Sequence, residues 1–185
     1  MPANDFHFCP NCGGTAVRYE DGKKWRCEEC NFTLYNNVAA AVAAIISDRD
    51  GNVLFEVRAK EPRKGLLALP GGFCNYDETA EEAVRRECLE ETGVAPEKTA
   101  FLCTFPNDYS YKGIAYKTCD LFFTAELPER AGTIAELMQK LHGQESEVAG
   151  FCARAVRTPE DIARLPLAFE SAKKSLTVWL STRTM

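Results

Sequence analysis

The segment Thr79–Gly93, TAEEAVRRECLEETG, restricts the fold more than any other stretch of this 185-residue chain. Thr79 followed three residues later by Glu82 is a capping-box signature, Gly93 is a natural C-cap, and no Pro or Gly interrupts the residues between. The pattern predicts a helix over Ala80–Thr92. Advancing about 100° per residue from Ala80, Val84 falls at about 40° and Ala83 at about 300°, which defines a small apolar face. Glu87 and Glu91 fall at about 340° and about 20°, inside that face, with Glu90 at its edge at about 280°. Any fold that buries the apolar stripe must therefore take two carboxylates in with it.

Ion pairing at i,i+4 accounts for Glu81 with Arg85 and Glu82 with Arg86 as a solvated pattern. It does not account for glutamates on the buried stripe, because a buried carboxylate is costly unless it is paired or bound to metal. A hard divalent cation resolves the conflict, and oxygen ligands with room for waters suit Mg2+ or Mn2+. Arg86, at about 240°, lies close enough to Glu90 to offset part of the negative charge and orient a carboxylate. A cation that keeps several waters suits phosphate chemistry.

Nine cysteines divide into two populations. Cys74, Cys88, Cys103, Cys119 and Cys152 stand singly among apolar residues, as free buried thiols do in a reducing compartment. Cys9, Cys12, Cys27 and Cys30 form two C-x2-C knuckles separated by fourteen residues, a spacing that aims four thiolates at one tetrahedral Zn2+. The competing readings are two local redox pairs or coincidence. Four thiolates leave no open coordination position, so this zinc would be structural, and a segment this short would depend on it for stability.

With 45% apolar and 26% charged residues, the chain reads as a soluble globular protein with one core and a small appended unit. The boundary is expected at Tyr35–Asn37, giving 1–36 as a zinc ribbon and 37–185 as the main domain. The apolar run VAAAVAAII at 38–46 is too short to span a bilayer, and no charged start precedes an apolar stretch; no membrane association and a cytoplasmic location are expected. A net charge of -5 argues against a surface built for general attraction to nucleic acid. Strands are expected at 38–47, 52–58, 99–105, 117–125 and 148–156, with DRDG at 48–51 joining the first two as a hairpin. A short helix around IAELMQKL and a final amphipathic helix at 168–181 complete the reading.

Gly72, five residues, Glu78, seven residues, then Arg86-Glu87-Cys88-Leu89-Glu90-Glu91-Thr92-Gly93-Val94 resembles the Nudix box, G-x5-E-x7-R-E-U-x-E-E-x-G-U, where U is a bulky aliphatic. The departure is Cys88 at an aliphatic position, and it touches packing more than chemistry. The preceding LPGG also resembles the family's entry to the box. The resemblance implies an α/β fold, the Nudix α/β/α sandwich. It also implies a hydrolase that cuts the pyrophosphate bond of a nucleoside diphosphate linked to another moiety, using Mg2+ or Mn2+. By position it implies Glu87, Glu90 and Glu91 as metal ligands, Glu87 or a glutamate from elsewhere as base, and Arg86 and Glu78 as braces, with Gly72 and Gly93 shaping the box. A further glutamate is often supplied from a loop before a late strand; GQESEV offers Glu145 and Glu147, and Glu145 is favoured because Glu147 abuts the strand. The alternative for that loop is a solvated acidic turn.

The ribbon is similar to that of NADH pyrophosphatases, yet that subfamily's SQPWPFPxS motif is replaced here by TFPNDYSYKG at 104–113, so NADH selectivity does not carry over. Tyr109, Tyr111 and Tyr116 could stack on a base, or could simply pack. Arg58, Lys60, Arg63 and Lys64 are the basic concentration near the box, and Arg58 is the candidate phosphate contact. The expected partner is a small nucleotide substrate such as ADP-ribose or NADH; capped RNA stays open, and homodimers are common among relatives. The rival reading is a nucleotide-sensing or adaptor protein whose ribbon contacts nucleic acid or a protein. Retention of every box carboxylate and the mixed charges of the ribbon favour the enzyme.

Overall fold

The two cysteine knuckles are closed by residues in the left-handed region four positions after each first cysteine: Gly13 (φ 74) and Asn31 (φ 61). Their amides donate to Cys9 O and Cys27 O, both at 2.9 Å. The computed structural model describes residues 4, 6–127, 133–141 and 148–183. Its contacts divide the chain into two units: residues up to Val38 with Asp108–Lys117, and Ala39–Asn107 with Thr118–Met185.

In the first unit, β1 (Val17–Glu20), β2 (Lys24–Cys27) and β3 (Thr33–Tyr35) form an antiparallel sheet in sequence order. Trp25, buried on β2, packs against Phe6 and Tyr19, with ring centroids 4.7 and 4.9 Å away. Its indole N–H donates to Asn4 O at 3.1 Å. The Asn4 side chain in turn exchanges two hydrogen bonds with the Ala115 backbone, at 2.8 and 3.0 Å, and so ties segment 108–117 to this unit.

The second unit is built on two three-stranded sheets. In one, β4 (Ala39–Ile46) runs parallel to β8 (Ile114–Glu126), whose other neighbour is β7 (Lys98–Tyr111). In the other, β5 (Asn52–Arg58) lies between β6 (Leu67–Ala68) and β9 (Val148–Ala155), antiparallel to both. Period-two alternation sorts their side chains onto two buried faces. Val42, Ala44, Leu54 and Phe123 meet α1 (Ala80–Thr92) and α2 (Ile134–Lys140), whereas Ile45, Val53, Phe55 and Phe122 meet α3 (Pro159–Arg164) and α4 (Glu170–Arg183). Helices on both faces of the sheets give the α/β/α sandwich that the resemblance implies.

The expected hairpin of 38–47 with 52–58 is corrected. The turn forms, with Gly51 N donating to Asp48 O at 3.2 Å, but beyond one Ser47–Val53 bridge the strands part into different sheets. Strands adjacent in sequence usually pair, but all of β4 is taken up in parallel by β8, and β5 is paired along its length by β9 instead. The expected Glu81–Arg85 and Glu82–Arg86 ion pairs are also corrected. The Glu82 carboxylate is taken by the Thr79 N–H and hydroxyl of the capping box, and Arg85 donates to Pro96 O at 2.7 Å. Strands 99–105 and 117–125 prove longer than expected and meet at Lys112-Gly113, both left-handed (φ 48 and 82), the geometry of a tight two-residue hairpin turn. α3 and the strands β1–β3 were not anticipated; they are too short for periodicity to show. Among the described residues no helix is long and apolar enough to cross a membrane.

Leu176 is fully buried between α4 and the sheets, beside Ile45, Phe55 and Trp179. Leu176→Ala should destabilise the second unit by about 2–5 kcal/mol, read from the urea midpoint, through lost transfer energy and a residual cavity.

Candidate active site

The caps expected at the ends of α1 are present. Thr79 and Glu82 form a reciprocal capping box, and Gly93 (φ 70) donates to Leu89 O at 2.9 Å. The helix therefore starts and stops where it must to turn Ala83, Val84 and Cys88 into the core, with Glu91 on the same side and 4% exposed. Glu87 is also largely covered, whereas the Glu90 side chain is 48% exposed, as its place at the edge of the stripe predicts. Cys88 is fully buried in the apolar cluster and packs as the aliphatic residue it replaces.

Arg86 organises the carboxylates. It makes a two-pronged contact with Glu78, Nη2 to Oε1 at 2.6 Å and Nε to Oε2 at 3.0 Å, while Nη1 reaches Glu87 at 2.8 Å and Glu90 at 3.3 Å. Its Nη2 also donates to Phe73 O at 3.1 Å, fixing the loop ahead of the helix. Glu78 additionally accepts from Asn75 N at 2.6 Å. The guanidinium, then the Asn75 amide, hold the Glu78 carboxyl down at about 2.

Gly71 and Gly72 each answer a different demand. A Cβ on Gly71 (φ 151) would strike Val42 O at 2.1 Å, where β4 passes close, and its N–H donates to Glu91 Oε2 at 2.7 Å. A Cβ on Gly72 would meet Glu87 Oε1 at 2.5 Å, so the absent side chain is the room in which the Glu87 carboxylate lies.

One acidic residue of this region was missed from the sequence. Glu56, in the middle of β5, is 3% exposed and in hydrogen-bonding contact with Glu91, and its Oε2 has no solvent contact. Burial above all, then the Glu56 charge and that of Glu87, push the Glu91 carboxyl well above the ordinary range, against the pull of the Gly71 amide. The signal was available: in VLFEV, Glu56 shares the face of Leu54, the face that packs on α1.

This donor set fits a hard divalent cation. Three carboxylates, Glu87, Glu90 and Glu91, project from one side of one helix, held by an arginine and the Gly71 amide, with room left by Gly72, and the innermost is destabilised by its like-charged neighbours. The four knuckle cysteines fit Zn2+ equally well. Their sulfur atoms all lie within 4.8 Å of one another, with Cys9–Cys30 at 3.7 Å and Cys12–Cys27 at 3.8 Å. A tetrahedron with Zn–S of about 2.3 Å has edges of about 3.8 Å. The Asn11 side chain and the Phe32 backbone lower the Cys30 pKa, favouring its thiolate.

Of the remaining candidates, Arg58 ends β5, donates to Pro62 O at 2.9 Å and stacks over Phe169 at 5.3 Å, with Arg63 on the same ring at 5.7 Å. Tyr109 and Tyr111 belong to the first unit, where Tyr111 is exposed. Glu145 and Glu147 lie outside the described residues. The other five cysteines are free, but Cys88 alone of them is fully buried.

Known proteins resemble this chain in sequence and in fold. The NUDIX domain family matches residues 37–180. An ADP-ribose pyrophosphatase of Methanocaldococcus jannaschii is 43% identical over 86 residues, 46% of either chain. The NAD-capped RNA hydrolase NudC of Photobacterium profundum is 31% identical over 101 residues, 54% of this chain and 36% of its own. The match thus spans less than half the length of each of these curated relatives. A NUDIX hydrolase structure from Nitrosomonas europaea superposes with a TM-score of 0.62 at 23% identity, covering 97% of this chain and 93% of that one, which speaks to the fold.

The Glu78–Arg86 pair carries a pH signature. Because the folded-state pKa of Glu78 is depressed to about 2 from an ordinary 4.5, its stabilisation is complete above about pH 4.5 and is lost as the pH falls towards about 2. Glu78→Gln should therefore be less stable than wild type at pH 7, and the difference in denaturation midpoint should close across that window.

Proposed function

The chain belongs to the Nudix family, and from that membership we propose that it is a divalent-cation-dependent pyrophosphohydrolase of nucleoside diphosphates linked to a second moiety, with ADP-ribose and dinucleotides as the substrate class. The observation that carries the reading is that Glu87, Glu90 and Glu91 lie on one side of α1, the first two under the clamp of Arg86 and the third on the Gly71 amide. The likeness to an ADP-ribose pyrophosphatase and to an NAD-capped RNA hydrolase supports an adenosine diphosphate core in the substrate.

Glu87, Glu90 and Glu91 would hold Mg2+ or Mn2+, which when bound supplies charge to the bridging phosphate oxygens and acidifies a coordinated water. The chain's own residues do the positioning. Arg86 aligns Glu87 and Glu90 by lending each a charge-assisted hydrogen bond, and Glu78 keeps Arg86 in place with two more. Gly72 leaves the Glu87 carboxylate its room, and Gly71 orients Glu91 through its amide. The proton of the attacking water passes to a carboxylate, Glu87 or Glu145. Arg58, stacked on Phe169, offers a cation for the phosphates. In the first unit Cys9, Cys12, Cys27 and Cys30 would hold a structural Zn2+.

Hydrolysis of ADP-ribose, NADH, NAD+, FAD, diadenosine polyphosphates and nucleotide sugars should be measured with Mg2+ and with Mn2+. Turnover of an adenosine diphosphate derivative that stops on metal removal, and that falls on the order of a hundredfold or more in Glu91→Gln, is the expected result. Nucleotide binding without cleavage of any of them would instead make the protein a sensor.

A further inference from the structure

β5 reads Asn-Val-Leu-Phe-Glu-Val-Arg, and Glu56 is the charged residue inside it. In register its neighbours are Ala68 on β6 and Phe151 on β9, so the carboxyl is flanked on both sides by apolar residues in the central strand of the sheet. Packing alone does not call for it. Leu54, two residues earlier on the same face, fills the equivalent place against α1 with an aliphatic side chain. What Glu56 meets instead is Glu91, a second buried carboxyl on the helix opposite. Two like-charged groups placed together out of water oppose folding unless a third group uses them.

We propose that Glu56 is a positioning residue of the divalent-cation site, fixing the Glu91 carboxylate from the sheet side and adding its own negative charge to that of Glu87, Glu90 and Glu91. The inference rests on the proposed function only in taking Glu91 as a cation ligand. Glu91 is then oriented by the Gly71 amide on one oxygen and faces the β5 carboxyl, so that a cation would find both side chains together. The four carboxylates come from two elements, a helix and the strand beneath it, which makes the site's geometry depend on the packing of α1 against the sheet.

Glu56→Gln separates charge from shape, since the amide keeps the volume and can still hydrogen-bond Glu91. Mn2+ affinity, read by the free-ion EPR signal without nucleotide, should weaken at least tenfold, and the rise in melting temperature on adding Mn2+ should shrink, while the melting temperature in EDTA does not fall. A purely structural glutamate would alter melting in EDTA and leave the affinity alone. Mn2+ affinity within twofold of wild type would overturn the proposal. Should Glu56→Gln fail to fold, Glu56→Val, which extends the aliphatic face of the strand, takes its place under the same criterion. A wild type that binds Mn2+ through Glu56 yet cleaves no nucleotide sustains this inference and removes the hydrolase; one that cleaves ADP-ribose while the variant binds Mn2+ normally does the reverse. A wild type with no Mn2+ affinity defeats both.

Discussion

Glu91 is the residue around which the second unit is arranged, because it puts a carboxylate where the fold requires apolar surface. Its helix can pack on the sheet only if the carboxylate finds donors there, and the backbone amide of Gly71 is one such donor. That amide is available because residue 71 adopts a φ of 151 and lacks a Cβ, which lets the loop pass within van der Waals reach of β4. The Leu-Pro-Gly-Gly turn, the capped helix and the parallel β4–β8 pairing are thus mutually dependent. The loop must approach β4 closely to present the amide, and the helix must begin at Thr79 to aim Glu91 at it.

The first unit meets a different constraint by different means. Among the described residues it has one large buried side chain of its own, Trp25, held between Phe6 and Tyr19. Such a core is small for independent stability, and a Zn2+ held as proposed by the four converging cysteines would supply the alternative. The hydrogen bonds of Asn4 to Trp25 and Ala115 give the unit a further element drawn from a distant part of the chain. Sequence separation hides this arrangement: residues 108–117 read as the end of one strand and the start of another, and nothing local marks them as belonging with the cysteine knuckles.

What was legible in the sequence was what local chemistry decides. α1 spans the residues that its capping box and terminal glycine delimit, and β5 spans the run NVLFEVR. The placement of Glu87 and Glu91 inward and Glu90 at the margin followed from helical angles alone. Pairing was less legible, since the choice of β8 over β5 as the partner of β4 depends on residues more than seventy positions away. The ion pairs expected along α1 failed for a related reason. Arg86 has a better partner in Glu78, which presents both oxygens from the loop, and that competition is invisible to an i,i+4 count. Glu56 was overlooked because a single charged residue in a strand is ordinarily read as pointing to solvent, whereas both faces of β5 are covered.

The carboxylates of the site are not equivalent, and their inequality has thermodynamic meaning. The outer ones, Glu78, Glu87 and Glu90, share the Arg86 guanidinium, whose single positive charge offsets part of theirs within the folded chain. Glu91, with Glu56 beside it, is held by a neutral backbone amide and is surrounded by like charge and apolar side chains. A ligand that binds only the folded state stabilises it by RT ln(1 + [L]/Kd), about 2.7 kcal/mol at a hundredfold excess over Kd. A divalent cation bound as proposed would deliver that stabilisation beside the buried Glu91 and Glu56 pair, and would so couple its binding to the seating of α1 on the sheet. The chain keeps two acidic side chains, Glu56 and Glu91, buried beneath a helix, and under the proposed function it is a cation that would offset their mutual repulsion.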